Sequence, residues 1–366
     1  MINPKILGFG DTHLGPYKYP IREYIEEALM EVADIAGKKE PDVILFSGDA
    51  FRTRVPSARD ISMFGAALKL MAQICPVIMI PGNHDLAGFN ASTIDVFDGY
   101  ENVVVMRQPD IYRLEDLTAR GLVTSHHTLN IACVPWLPQK PMVSQGIDQE
   151  SVKGTLEAII QLLKARLDPN HFSVLLAHCS ALGSEFATGM STVLGYDVLW
   201  PSDWFDGFDL CVLGHLHKPA QVKSAPHAFY TGSICPVSFN ETDHIKAVFW
   251  YDGENAKYIP LKSAPLFSQT TAEFVEREGG LEYGPKVFLQ VVKDAEAPDP
   301  EIPGTPAWYE IISRPPKRET RQRLDSEAAG SLSLMEAIKK YLELEGQEDL
   351  IEPVYELARE LMESSE

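Results

Sequence analysis

Five short motifs bring together side chains that bind metals: Asp11-Thr12-His13, Gly48-Asp49, Gly82-Asn83-His84-Asp85, Ala177-His178 and Gly214-His215-Leu216-His217. They hold five of the ten histidines, three carboxylates and one amide. Imidazole mixed with hard oxygen donors suits Mn, Fe or Zn, and the set is too large for one tetrahedral ion. Two divalent ions about 3.5 to 4 Å apart, bridged by one carboxylate, would use nearly all of these groups; such a pair clamps the attacking and leaving oxygens of a phosphoryl displacement. Phosphoester hydrolysis is therefore the expected chemistry. Taken singly the motifs are ordinary: a D-x-H is mostly a turn with a surface histidine, and a lone His178 is more often a satisfied interior one. GNHD is rarer, with a random expectation on the order of one in a thousand from average residue usage. Their common position, each just past an apolar run, is what joins them.

The runs themselves, KILGFGD, VILFSGD, VIMIPGNHD, VLLAH and LCVLGH, read as buried strands. Between them, residues 21–37, 59–74 and 150–167 carry apolar side chains at spacings of three and four and read as covering helices. The first 220 residues thus predict an α/β sandwich with its site at strand ends. Gly10, Gly48, Gly82 and Gly214 are expected to supply the backbone freedom for the turns there. After Pro219 the pattern becomes closely spaced β segments (AFYTGSICPVSF, KAVFWYD, KYIPL), implying a second sheet or an antiparallel flank. Beyond residue 263, KVFLQVV and WYEIISR around a Pro- and acid-rich loop predict a small second domain. The end predicts two helices with a turn at Gly346, each opening on a capping-box pattern (Ser333 with Glu336, Asp349 with Glu352). The expected boundaries are 1–262, 263–324 and 325–366.

The net charge of −20 opposes binding to phosphate backbones unless basic residues cluster or cations intervene. The tail, 325–366, carries 12 acidic and 3 basic residues and is a separate electrostatic unit. No apolar run approaches the ~20 residues of a membrane helix, and the first residues lack the pattern of a secretory signal. Five dispersed cysteines without C-x-x-C read as reduced thiols in a cytoplasmic protein, with no membrane partner.

GDTHLG, GDAF, GNHD, AHCS and GHLH resemble the successive motifs of the calcineurin-like metallophosphoesterases. Within that superfamily, HLG, IACVPWLP and YTGSICPVSFNET are similar to the SbcD and Mre-type nuclease subunits, and the resemblance covers nearly the whole chain. It implies a two-sheet αββα sandwich, a small capping domain, and a C-terminal helical pair that docks on the coiled-coil root of an SbcC-type (Rad-type) ABC ATPase. It implies two divalent ions, expected to be manganese: Asp11, His13, Asp49 and His217 on one, Asp49, Asn83, His178 and His215 on the other. His84 matches the catalytic histidine that protonates the leaving 3′ oxygen, and Asp85 is expected to orient its loop. Where Mre-type enzymes often carry a second histidine three residues after the bridging aspartate, this chain has Arg52, a candidate phosphate contact.

The expected substrate is DNA, cut as an exonuclease on duplex ends and an endonuclease on single strands, in repair, recombination or replication, with a homodimer expected. Arg314, Lys317, Arg318, Arg321 and Arg323 form the densest basic stretch, a candidate DNA contact or a solvated loop; Arg52, Arg54 and Arg59 are a second candidate patch. The acidic tail could cover the chain's own core or dock a coiled coil. No G-x-x-x-x-G-K-[ST] is present, so any ATP dependence must come from a partner. Two alternatives remain open: a phosphodiesterase or phosphatase for small or protein phosphoesters, and a scaffold with a vestigial site.

Overall fold

In a computed structural model, the described residues are 3–86, 91–114, 129–137, 149–182, 198–242, 244–262, 266–270, 288–294, 299–300, 302, 306–314 and 339. Apolar runs too short for a helix form two six-stranded sheets. The strands of the first are β1 (Ile6–Phe9), β2 (Val43–Phe46), β3 (Val77–Met79) and β4 (Val103–Val105), all parallel, flanked by antiparallel β13 (Ala247–Tyr251) and β14 (Ala256–Pro260). Their order is β14-β13-β1-β2-β3-β4. In the second, β6 (Leu129–Val134), β7 (Phe172–His178), β10 (Leu210–Gly214) and β12 (Ala225–Tyr230) run parallel, with β5 (Asp110–Arg113) and β11 (Ala220–Val222) antiparallel at the edges. The order here is β11-β12-β10-β7-β6-β5. A two-stranded pair, β8 (Ser180–Ala181) and β9 (Leu199–Trp200), follows the end of β7.

Alternation along the strands shows how the layers pack. Ile6, Val43, Leu45 and Ile78 of the first sheet share one buried cluster with Ile131, Val174, Leu176 and Val212 of the second. The intervening residues Leu7, Phe9, Ile44 and Phe46 face the other way, against Ile25, Leu29 and Val32 of α1 (Arg22–Lys39) and Phe64 and Leu68 of α2 (Ala58–Ala72). On the far side, Leu175, Ala177, Cys211 and Leu213 pack against Leu156, Ile160 and Leu163 of α3 (Gln149–Ala165). Strands buried on both faces read as continuous apolar runs because helices cover the outside. The layers are helix, sheet, sheet, helix, as expected.

The β segments after Pro219 resolve the two alternatives in favour of flanks: β13 and β14 extend the first sheet and β11 and β12 the second. The second sheet itself begins earlier, with β5 and β6. α2 opens on a full capping box, with Ser57 Oγ accepting from Asp60 N and the Asp60 carboxylate accepting from Ser57 N at 3.1 Å.

KVFLQVV and WYEIISR form β16 (Phe288–Asp294) and β17 (Trp308–Arg314), which follow β15 (Leu266–Thr270) in a three-stranded sheet of that order. By contacts the chain divides into one unit of residues 1–269, 280–290 and 302–310 and a second of 270–279, 291–301 and 311–366. In the second unit the described residues are chiefly 291–294 and 311–314. The expected C-terminal helical pair, 325–366, lies outside the described residues apart from Lys339.

Candidate metal centre

β1, β2, β3, β7 and β10 all end at one edge of the sandwich, and each of the five motifs lies at or within a few residues of its strand's end. The chain there stays bound to its neighbour beyond the last strand residue: Asp11 N donates to Gly48 O at 2.8 Å and His13 N to Asp49 O at 3.0 Å. This forces unusual backbone. Asp11 (φ 47°), His13 (44°), Asp49 (57°) and His215 (97°) are four of the six non-glycine residues with positive φ among those described. Left-handed backbone at non-glycine residues costs energy and clusters at functional sites.

The glycines act differently from the sequence expectation. Of Gly10, Gly48, Gly82 and Gly214, positive φ occurs at Gly48 alone (103°). The ligand-type residues themselves turn the chain, and the glycines make room for it: a Cβ on Gly10 would lie 2.1 Å from Ser47 Oγ, on Gly82 2.2 Å from Asp49 Oδ1, and on Gly214 2.2 Å from Ser47 O.

Asp49 lies at the centre. One carboxylate oxygen is 3.6 Å from His13 Nε2 and 3.7 Å from His178 Nε2, and the other accepts from His84 N at 2.8 Å. Donor atoms of Asp11, His13 and His217 lie within 4.8 Å of one another, as do those of Asp11, Asp49 and His178. Asn83 Oδ1 is 3.0 Å from His178 Nε2 and 3.1 Å from His215 Nδ1. Asp11 takes the His215 N–H on both carboxylate oxygens, at 3.1 Å. All seven residues expected as ligands therefore converge. His84 is close as well, with a ring nitrogen within the same 4.8 Å of His13 and Asp49.

The chemistry of this set fits cations. His178 donates Nδ1–H to the Ser47 carbonyl at 2.7 Å, and His217 donates Nδ1–H to the Glu241 carboxylate at 2.9 Å. Each ring then turns its Nε2 inward. His178 Nε2 faces the Asn83 oxygen, and His217 Nε2 stands 3.0 Å from His13 Nε2. At His178 an acceptor nitrogen stands opposite an acceptor oxygen with no proton to share, and a divalent ion satisfies both. Burial, reinforced by the neighbouring histidines, pushes the His13 and His178 rings well below the usual imidazole range and His215 down to about 4, so they stay neutral and keep their lone pairs. Burial raises the Asp49 carboxyl to about 7; burial and then the charge of Asp49 raise Asp11. Such carboxylates lack a counter-charge of the kind a metal provides.

Several supporting residues were not singled out from sequence. Glu241 is held by Lys246 at 2.6 Å, and both are buried. Burial opposes its ionisation, but the His217 hydrogen bond and Lys246 together hold the Glu241 carboxyl far below its ordinary range. Trp136 stacks on His215, with centroids 5.1 Å apart and planes at 25°. Glu241 sits in YTGSICPVSFNET and Trp136 in IACVPWLP, stretches that the sequence connected only to a family likeness. Asp85, expected to orient the GNHD loop, is fully buried and accepts from Asp49 N (2.8 Å), Gly82 N (3.0 Å) and Ala50 N (3.0 Å). It ties the loop after β2 to the loop after β3.

The Arg52 guanidinium lies 4.0 Å above the Tyr17 ring, and Tyr17 donates its hydroxyl to the His13 carbonyl. Of the second patch, Arg59 pairs with Glu26 at 3.1 Å. Lys317, Arg318, Arg321 and Arg323 lie outside the described residues, as does the Arg314 side chain; the Arg314 backbone closes β17.

The profile of the calcineurin-like phosphoesterases matches residues 4–219, more than half of the chain and all five motifs. The chain belongs to that family. Its calcineurin-like domain is thus a metallophosphoesterase with candidate residues for a dinuclear centre. Among curated relatives it is similar to the SbcD component of the SbcCD nuclease of Staphylococcus epidermidis, 26% identical over 283 residues, or 74% of this chain and 72% of that one. Solved structures similar to it include a protein of Thermus thermophilus (13% identity, TM-score 0.38) and a dimetal phosphatase of Danio rerio (10%, TM-score 0.40). Each alignment covers 71% of this chain and 100% of the other.

Proposed function

We propose that this calcineurin-like phosphoesterase is the nuclease subunit of an SbcCD-type complex that hydrolyses DNA phosphodiester bonds, as an exonuclease on duplex ends and an endonuclease on single strands. The observation that carries the chemistry is the meeting of two donor sets at Asp49; the SbcD relative supports DNA as the substrate and an SbcC-type ATPase as the partner. Asp11, His13, Asp49 and His217 would hold one divalent ion and Asp49, Asn83, His178 and His215 the second, with manganese the expected metal. Such a pair polarises the phosphate and provides a nucleophile at neutral pH.

The chain's own groups do the rest. His84 faces the carbonyl of Arg52 through Nδ1, at 3.0 Å, so Nδ1 carries the resident proton. A second proton, when present, sits on Nε2 and is the one passed to the departing 3′ oxygen. Arg52, stacked on Tyr17 next to His13, offers a planar guanidinium to a phosphate oxygen in place of a second histidine. Asp85 holds the GNHD loop against the Asp49 loop, which fixes where His84 stands relative to the centre. The five cysteines are buried thiols outside any disulfide, which supports a reducing, cytoplasmic setting.

Labelled linear duplex DNA incubated with the protein and Mn²⁺, with and without an SbcC-type ATPase, tests the proposal. Metal-dependent shortening of the DNA is expected. Turnover of a small phosphomonoester or cyclic nucleotide with DNA untouched under every condition would give the assignment to the alternative phosphatase reading.

A further inference from the structure

The two halves of the centre differ in what stands behind their histidines. His178 gives its Nδ1–H to a neutral acceptor, the Ser47 carbonyl, at 2.7 Å. His217 gives its own to an ionised one, Glu241 Oε1, at 2.9 Å. Glu241 is 4% exposed and Lys246 1%. Lys246 Nζ directs its three protons to Glu241 Oε2 (2.6 Å), Ser233 Oγ (2.7 Å) and the carbonyl of His217 itself (3.2 Å). Glu241 is further satisfied by Val237 N and by the hydroxyls of Ser233 and Ser238, each at 3.3 Å. One buried ion pair therefore grips one histidine twice, by its ring and by its backbone.

The charges explain why both partners are needed. A carboxylate behind an imidazole fixes the tautomer and strengthens the inward nitrogen as a donor, a recurrent arrangement behind metal-bound histidines. Lys246 balances the buried charge of that carboxylate, and its bond to the His217 carbonyl holds the backbone from which the ring projects. In the ligand assignment proposed above, the same half has Asp11 in addition to the shared Asp49, though Asp11 also lies within 4.8 Å of Asp49 and His178; the other half adds to Asp49 the neutral amide of Asn83 and two histidines, of which His178 is backed by a carbonyl.

We infer that Glu241 and Lys246 are positioning residues that make the Asp11–His13–His217 position the tighter of two unequal cation positions, with the Asn83–His178–His215 position the weaker, exchangeable one. This rests on the dinuclear reading above, and the experiment separates the two. Metal-stripped full-length protein is titrated with MnCl₂ by calorimetry. Two classes of site are expected, at least roughly tenfold apart. Replacing the ion pair with neutral side chains of similar length, Glu241→Gln with Lys246→Met, should weaken the tight class by roughly 10–100-fold and leave the weak class within about twofold. If that double variant does not fold, Glu241→Asp, which keeps the charge but shortens the reach, should also weaken the tight class alone. Equal weakening of both classes, or no change in either, overturns the inference. Two equal classes in the unaltered protein overturn it too, whereas no manganese binding at all would instead overturn the dinuclear reading.

Discussion

Among the described residues the His84 ring makes one hydrogen bond, to the Arg52 carbonyl, and it stands edge-on to His13 with centroids 4.8 Å apart. As the proposed general acid, and not a ligand, His84 should show a distinct signature. His84→Ala should lower DNA cleavage by roughly 10²–10⁴-fold, the usual range for a general acid, with metal content near that of the unaltered protein. Elemental analysis alongside the cleavage assay checks this; cleavage persisting in the variant would remove His84 from the mechanism. The carboxyls yield a second expectation. Asp11, Asp49 and Asp85 are all raised, so without metal the native state holds protons that the unfolded chain has released, and it loses stability as pH climbs from the ordinary carboxylate range toward about 7. Cations replace those protons. The rise in Tm on adding Mn²⁺ should therefore be larger at pH 8 than at pH 5, and a smaller rise at pH 8 would contradict the arrangement. All seven expected ligands could be read from local motifs. Glu241 and Lys246 could not, because they reach His217 from 24 and 29 residues further along, and no local spacing encodes that contact.

The strand ends do their work by coming very close together. Gly214, the last residue of β10, would carry a Cβ 2.2 Å from the Ser47 carbonyl and 2.8 Å from His178 Nδ1. Neither is the free end of a flexible side chain, so Gly214→Ala should destabilise by about 1–3 kcal/mol and weaken metal binding. Gly154, on the exposed side of α3 with nothing within 4 Å of a Cβ, is the counterpart; Gly154→Ala should stabilise by roughly 0.5–1 kcal/mol. Denaturant unfolding of the pair checks both signs. The longer apolar runs and the three helices were legible because their periods persist over enough residues. β4 has three residues and β5 is a partly exposed edge strand, so neither carries a pattern. The division of the parallel strands between two sheets was likewise invisible: β1, β2, β7 and β10 are all largely apolar and buried on both faces, and only the crossovers separate them.

At the scale of the whole molecule, a chain of net charge −20 is proposed to act on a polyanion. Cations at the centre would change the sign of the charge locally, and the acid excess per residue is greatest in 325–366, away from the five motifs in sequence. If that tail docks an ATPase, deleting 325–366 should abolish co-purification with an SbcC-type partner while metal-dependent hydrolysis of a simple diester continues. Loss of both would make the tail part of the folded core.

Anomalous diffraction from crystals of the full chain soaked in MnCl₂ reaches the core of this account most directly. Two peaks should appear at the ends of β1, β2, β3, β7 and β10, sharing Asp49, one nearest Asp11, His13 and His217 and the other nearest Asn83, His178 and His215. Manganese found elsewhere, or a single ion with one of the two histidine groups left unused, would contradict it.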